Sequence, residues 1–382
     1  MLRPSLDEDD VPAPKRLATG SVPTTVPPIL LGQRGLNNLG NTCFMNSVLQ
    51  VLLHCPPVVR FFLGDHHNRF ECMARSRQSP TGGENSADGG STASRRPCLA
   101  CEMDLLFTQC FSGKRAPFSP HSFLHAMWSN SEYFAGYEQQ DAHEFLIAAL
   151  SSIYAGLLQP RLLARQVGTG MPAPSGSARS GDGVNLGAQD LQRVFTGVLR
   201  SDVTCLSCQS TSTKYEDFQD ISLDLSRTPS TEEDGSSPLL GSLAACLRSF
   251  TRAERLLSAE RCWCTHCGKL QDSAKQLSIY RLPNVLCFHL KRFKHTANSK
   301  TPSTKIDTFV EFPLHSLNMR PHTSAHVCGV GTSEEALALE PTPEHLYDLF
   351  GVAVHHGTMQ NGHYTSYVRT QADWFHFDDA VV

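Results

Sequence analysis

The sequence predicts an α+β protein, with a helical N-terminal half and a sheet-rich C-terminal half. Two observations carry this. In the first half, apolar residues recur three and four positions apart, which lines one face of a helix. From Leu191 onward they gather into short runs rich in β-branched and aromatic residues, the signature of strands. The 382 residues are 40% hydrophobic and 18% charged, enough to bury a sizeable core.

Charge and cysteine content narrow the class. Thirty-three basic against thirty-seven acidic residues give a net charge of −4, so nothing argues for direct nucleic-acid binding. No apolar run approaches the roughly 18 residues of a membrane span. Met1–Asp10 carries Asp7, Glu8, Asp9 and Asp10, where a secretory signal would be basic and then apolar. A soluble intracellular protein is expected. Its fourteen cysteines then read as metal ligands, a nucleophile and buried thiols, not as disulfides.

In chain order, residues 1–32 are rich in Pro, Ser, Thr and charge and read as a disordered leader. The stretch NTCFMNSVLQVLLH repeats apolar residues at Phe44, Val48 and Leu52, a buried helix with Asn41 or Thr42 as its N-cap. Helices are also expected over Glu102–Phe111 and His121–Ser129 and through EQQDAHEFLIAALSSIY. Strands are expected over Val194–Leu199, Asp220–Leu225, Lys275–Tyr280, Val285–Phe293 and Tyr347–His355. Gln78–Arg96, Arg165–Asp190, Ser226–Ser237 and Ser316–Pro343 are rich in Gly, Ser, Pro or acidic residues and read as surface insertions.

Cys43 falls in the first turn of the first helix. There the positive end of the dipole and unpaired N–H groups favour thiolate, the attacking species; a buried core thiol is the alternative. Near the C-terminus, GHYTSYVRTQADWFHFDD reads as a hairpin of Gly362–Val368 and Trp374–Asp378. Folded symmetrically, it sets Tyr367 opposite Trp374 and His363 opposite Asp378, while Asp379 points to the other face. A carboxylate beside an imidazole fixes its tautomer, the orienting role in a nucleophile–base set; a surface cross-strand pair is the alternative.

The segments GLNNLGNTCFMNSVLQ, GYEQQDAHEFL, CFHLKRF and NGHYTSYVR…WFHFDD together resemble the ubiquitin-specific protease family of deubiquitinating cysteine proteases, from Gly35 to the chain end. GYEQQDAHEFLIAAL and CLACEMDLLF further resemble the histone-deubiquitinating branch found in the SAGA transcription coactivator complex. The resemblance implies a papain-like fold: a helical thumb over about 33–190, β-rich fingers over about 191–280 and a palm over about 281–382. It implies Cys43 as nucleophile, His363 as general base, Asp378 as its orienter and Asn38 as the oxyanion donor. Gln140, Asp141 and Glu144 fall in the box that lines the family's channel for the ubiquitin tail. Ubiquitin and ubiquitinated proteins, histones among them, are the implied partners, along with small zinc-finger adaptors, in the nucleus and also the cytoplasm. Against the family pattern, residues 1–34 read as too short for a ubiquitin-binding zinc finger, and a last palm strand after Asp378 is expected to be missing. A silent ubiquitin- or adaptor-binding scaffold is the alternative to an active enzyme.

Two cysteine sets have the spacing of closed structural zinc sites, one or two ions with no open catalytic position. Cys205 and Cys208 with Cys264 and Cys267 form two C-x-x-C knuckles; Cys262 lies close enough to compete, and His266 reads as a spectator. Cys98 and Cys101 can join Cys72 and either His66 or His67, of which His67 is taken first; unligated thiols at a loop base are the alternative.

Overall fold

The computed structural model describes residues 32–70, 72, 97–167, 188–225, 241–294, 304–328, 342–358 and 361–382. The leader up to residue 31, the insertions Gln78–Arg96 and Ser226–Ser237, and most of Arg165–Asp190 lie outside them. In chain order the helices are α1 (Cys43–Leu53), α2 (Pro56–Leu63), α3 (Leu99–Cys110), α4 (His121–Asn130), α5 (Ala142–Val167) and α6 (Ala188–Phe195). Then come β1 (Gly197–Cys205), β2 (Thr211–Phe218), β3 (Ile221–Asp224), α7 (Leu243–Thr251), β4 (Glu254–Leu256), β5 (Cys262–Cys264), β6 (Lys269–Gln271), β7 (Ser273–Arg281) and β8 (Phe288–Lys291). Short pairs follow, β9 (Phe293–Lys294) with β10 (Thr304–Lys305) and β11 (Leu317–Asn318) with β12 (Leu346–Tyr347), around α8 (Ser324–Val327). The chain ends in β13 (Gly351–Gly357), β14 (Gly362–Thr370) and β15 (Asp373–Phe377). No described helix is long and apolar enough to cross a membrane.

The chain forms two compact units. One takes the helices up to Gln192 together with Phe350–Gly357 and Asn361–Val382; the other is built on Arg193–Leu349. In the first, β13, β14 and β15 make an antiparallel sheet with β14 central, and α1 packs against β14. Helix α1 is buried on nearly every face, Met45, Leu49 and Leu53 completely. Its Phe44 meets Phe145 of α5 edge-on, ring centroids 5.5 Å apart. A helix buried on nearly every side belongs in a core, which makes α1 a rigid mount for its first residue, Cys43.

The second unit is mostly sheet. Its four-stranded antiparallel sheet runs β2-β1-β7-β4, and the hairpin β5–β6 stands apart from it. β3 pairs with β8 in parallel. Ile221, Leu223, Leu243, Leu247, Ile279, Val310 and Met319 close the core.

Four expectations change. The strand expected over Val194–Leu199 begins only at Gly197, because α6 runs on to Phe195. β2 was not expected: seven of its eight residues are exposed, so no apolar alternation marks it. The expected strand Tyr347–His355 is split between β12 and β13. The first part of the insertion Ser316–Pro343 is ordered instead, holding β11, a single turn at Arg320–His322 and α8. Met319, fully buried, and His322, 6% exposed, anchor that stretch despite its polar composition.

Candidate active site

The loop before α1 is organised by Asn38. Its Oδ1 accepts from the backbone N–H groups of Gly40 (3.0 Å) and Thr42 (3.1 Å), while Thr42 Oγ1 accepts from Leu39 N–H (2.9 Å). Thr42 is the N-cap, but its hydroxyl serves the loop and makes no cap bond to the helix. Gly40 (φ 103°) and Asn41 (φ 55°) reverse the chain with left-handed backbone, which Gly and Asn tolerate best. Cys43 thus stands at the head of α1, 3% exposed.

Burial raises the Cys43 thiol above its ordinary value of 9.0. The backbone N–H groups of Tyr364, Phe44 and Cys43 itself pull it down, and the nearby Asp379 carboxylate pushes it up. The helix terminus therefore acts in the expected direction, but desolvation outweighs it. Burial thus opposes the thiolate that the helix position was expected to favour.

His363 Nε2 bonds Asp378 Oδ1 at 2.6 Å, and both side chains are partly exposed. A carboxylate only accepts, so the proton lies on Nε2 and Nδ1 keeps its lone pair, free to act as base. The ladder around this pair differs from the expected one. Tyr367 pairs with His376 and Arg369 with Trp374, a shift of two residues that keeps each side chain on its face. The ladder stops at Phe377, so Asp378 reaches His363 from the turn beyond it. No hydrogen bond joins Cys43 to His363 among the described residues, a common looseness in free enzymes.

Asp379 does not point away as the hairpin reading expected. Its backbone is left-handed (φ 48°), and the turn Asp378–Val381 closes with bonds of 3.0 and 2.9 Å. One Asp379 oxygen accepts from Asn38 Nδ2 at 2.9 Å and the other from Asn46 Nδ2 at 2.8 Å. The first bond fixes which way the Asn38 amide faces and leaves its second N–H for another acceptor. Asn46 also donates to Leu36 O and Asn37 O, both at 3.3 Å, and Gln50, one turn on, to Arg34 O at 2.8 Å. Leu36 N–H donates to Asp379 O at 2.8 Å. Gly35 is obligatory there, since a Cβ would lie 2.2 Å from Ala380 O.

The remaining expected residues open α5. Asp141 Oδ1 accepts from His143 N–H (2.7 Å), and Glu144 accepts from the Tyr133 hydroxyl (2.7 Å); Gln140 precedes them, half-buried. Sequence reasoning passed over their neighbour Gln139, whose carboxamide donates to Gly362 O (2.8 Å) and accepts from Gly362 N–H (3.1 Å). It also passed over Asn46 and Gln50, whose spacing of four on an apolar helix was the available signal.

Both cysteine sets assemble. His67, Cys72, Cys98 and Cys101 bring one donor atom each within 4.8 Å of one another, all four buried, and so do Cys205, Cys208, Cys264 and Cys267. His67 is the histidine brought to the first set, with Nε2 3.3 Å from Cys101 Sγ. In the second, Cys208 and Cys264 sulfurs are 3.6 Å apart and Cys205 and Cys267 4.0 Å. Tetrahedral thiolates around zinc, with bonds of about 2.3 Å, stand about 3.8 Å apart, so the donors fit that ion. Cys262 bonds Glu260 O instead.

The ubiquitin carboxyl-terminal hydrolase family profile matches residues 34–382. The chain belongs to the ubiquitin carboxyl-terminal hydrolase family. Human ubiquitin carboxyl-terminal hydrolase 22 is 39% identical over 374 residues, covering 92% of this chain and 62% of the relative. Human ubiquitin carboxyl-terminal hydrolase 27 is 37% identical, covering 92% of this chain and 74% of its own. The solved SAGA Ubp8/Sgf11/Sus1/Sgf73 DUB module bound to ubiquitin aldehyde matches at TM-score 0.63 and 28% identity, over 92% of this chain and 65% of that one. The chain spans between 48% and 64% of the first curated relatives it matches. The fold is the family's ubiquitin-specific protease type, mixed helix and sheet.

Proposed function

We propose that this chain is a thiol-dependent deubiquitinase that cleaves the isopeptide bond between the ubiquitin C-terminal glycine and a substrate lysine. One observation carries the reading: a buried cysteine at a helix head, an imidazole oriented by a carboxylate at 2.6 Å and a pinned amide at Asn38 all belong to one compact unit of this family's fold. His363 Nδ1 takes the Cys43 proton, and the sulfur attacks the isopeptide carbonyl. The oxyanion is met by the free Asn38 N–H and the N–H groups at the head of α1. The imidazolium returns the proton to the lysine nitrogen, the C–N bond breaks, and ubiquitin stays as a thioester on Cys43. Water, deprotonated by His363, then releases free ubiquitin. Asp378 holds the tautomer throughout, and Gln140, Asp141 and Glu144 line the approach of the tail.

The thumb, fingers and palm are assigned to about 33–190, 191–280 and 281–382. Structural zinc would be held by Cys205, Cys208, Cys264 and Cys267 and by His67, Cys72, Cys98 and Cys101. Bound there, it ties loops together and supplies no catalytic chemistry, since every position of each set is a protein ligand. The likeness to the SAGA module supports ubiquitinated histones as substrate, zinc-finger adaptors as partners and a nuclear location that need not exclude the cytoplasm. Cleavage of a lysine-linked ubiquitin–histone peptide, with and without such adaptors, tests this. Release that is lost in Cys43→Ser is expected; equal release by that variant, or none under either condition, contradicts it.

A further inference from the structure

The segment Tyr137–Gln139 is tied at both ends of the proposed site. Asn41 Nδ2, in the loop before the nucleophile, donates to Tyr137 O at 2.8 Å, and Gln139 holds both backbone polar groups of Gly362, the residue before His363. That second contact has a specific form. Exchange of both an N–H and a C=O with a single residue is what an opposite residue does in an antiparallel ladder. Here a side-chain carboxamide, chemically a peptide group, takes the place of a strand.

The edge it covers is the one beside the nucleophile. β14 pairs with β13 from Gly362 onward, but with β15 only from Ser366 onward, so its first residues lack a strand on the β15 side. N–H groups of residues two apart face the same edge, and the Tyr364 backbone on that edge is near enough to the Cys43 thiol to pull its pKa down. An extended chain running parallel to β14 with its reacting carbonyl at Cys43 places the residue two positions back, about 7 Å away, level with Gly362, whose N–H and C=O then meet groups on the two residues flanking that one.

We infer that Gln139 is a gate: its carboxamide occupies the Gly362 N–H and C=O that the tail's own backbone takes, and it must swing out before the tail can lie along β14. The inference rests on the deubiquitinase reading. Gln139 is exposed and outside the core, so it can leave without unfolding anything. Its departure frees one donor and one acceptor, which the tail satisfies again.

The test compares wild type, Gln139→Ala and Gln139→Glu in the rate of Cys43 labelling by two probes. Iodoacetamide is too small to reach Gly362; ubiquitin bearing a C-terminal electrophile must lay its tail along β14. Both variants are expected to react with the ubiquitin probe roughly three to ten times faster than wild type, the scale of one modest hydrogen bond, with iodoacetamide rates unchanged. In Gln139→Glu the carboxylate can no longer donate to Gly362 O. Equal or slower ubiquitin labelling, or acceleration by both probes alike, overturns the gate. Iodoacetamide labelling of all three proteins with no ubiquitin adduct on any of them sinks the deubiquitinase reading instead, and the gate with it.

Discussion

At the scale of single residues, the site divides into groups that meet the reacting atoms and groups that hold them. His363→Ala is expected to lower kcat about 10²- to 10⁴-fold, the usual worth of a general base. Asn38→Ala should lower kcat about 10²- to 10³-fold with KM little changed, because its amide serves the oxyanion and not the ground state. Steady-state kinetics on a ubiquitin fluorogenic amide separates the two parameters. Burial sets the pH behaviour of the resting thiol. With the Cys43 value raised above 9.0, thiolate is scarce at neutral pH, and alkylation of the free protein should still be climbing as pH passes 9. A plateau below pH 8 would mean that a thiolate–imidazolium pair already exists. The segments that carry Cys43, His363 and Asn38 were legible because they are short, fixed motifs. The place of Asp379 was not, because it follows from one left-handed backbone angle that no local pattern announces.

At the scale of elements, the polar stripe on α1 shows how a core helix can also fasten a loop. Asn46, 2% exposed, bonds Leu36 O, Asn37 O and Asp379. Asn46→Leu would leave those acceptors without its amide and should cost about 2–4 kcal/mol in urea unfolding. A second element-level prediction concerns His322, whose Nδ1 lies 3.1 Å from Thr251 Oγ1. Burial, with Arg248 and His326 nearby, pushes its pKa down from 6.5 to about 4. The unfolded chain binds this proton first, so stability falls as pH drops from about 6.5 towards 4. The loss reaches roughly 3 kcal/mol, and acid titration of His322→Gln should lack that component. Helices α1, α3, α4 and α5 were readable because their apolar stripes repeat; α2, α6, α7 and α8, each nine residues or fewer, were not expected. β2 was not, being exposed along nearly its whole length, and neither was the parallel pairing of β3 with β8, because strand partnership across 67 residues leaves no local mark. The hairpin was legible in its pairing of His363 with Asp378 but not in register, since a slip of two preserves every face.

At the scale of the whole molecule, the two cysteine sets lie in separate units, so each should hold its own ion. Metal analysis of the purified chain is expected to find two zinc ions, falling to one in Cys205→Ser/Cys208→Ser and to one in Cys98→Ser/Cys101→Ser. Retention of both ions by either variant would remove that set from the account. Zinc knuckles are legible at this scale because two close cysteines are meaningful wherever the fold carries them. What brings Cys208 to 3.6 Å from Cys264 is the antiparallel pairing of β1 with β7 together with the β5–β6 hairpin that carries Cys264, which no spacing in the sequence encodes. The central claim is that Cys43 is a nucleophile reached by the tail of ubiquitin. It is tested most directly by mixing the chain with ubiquitin bearing a C-terminal electrophile and measuring intact mass. The account predicts an adduct of one ubiquitin on wild type and none on Cys43→Ser; an adduct that survives in Cys43→Ser, or wild type left unmodified even with adaptors present, would contradict it.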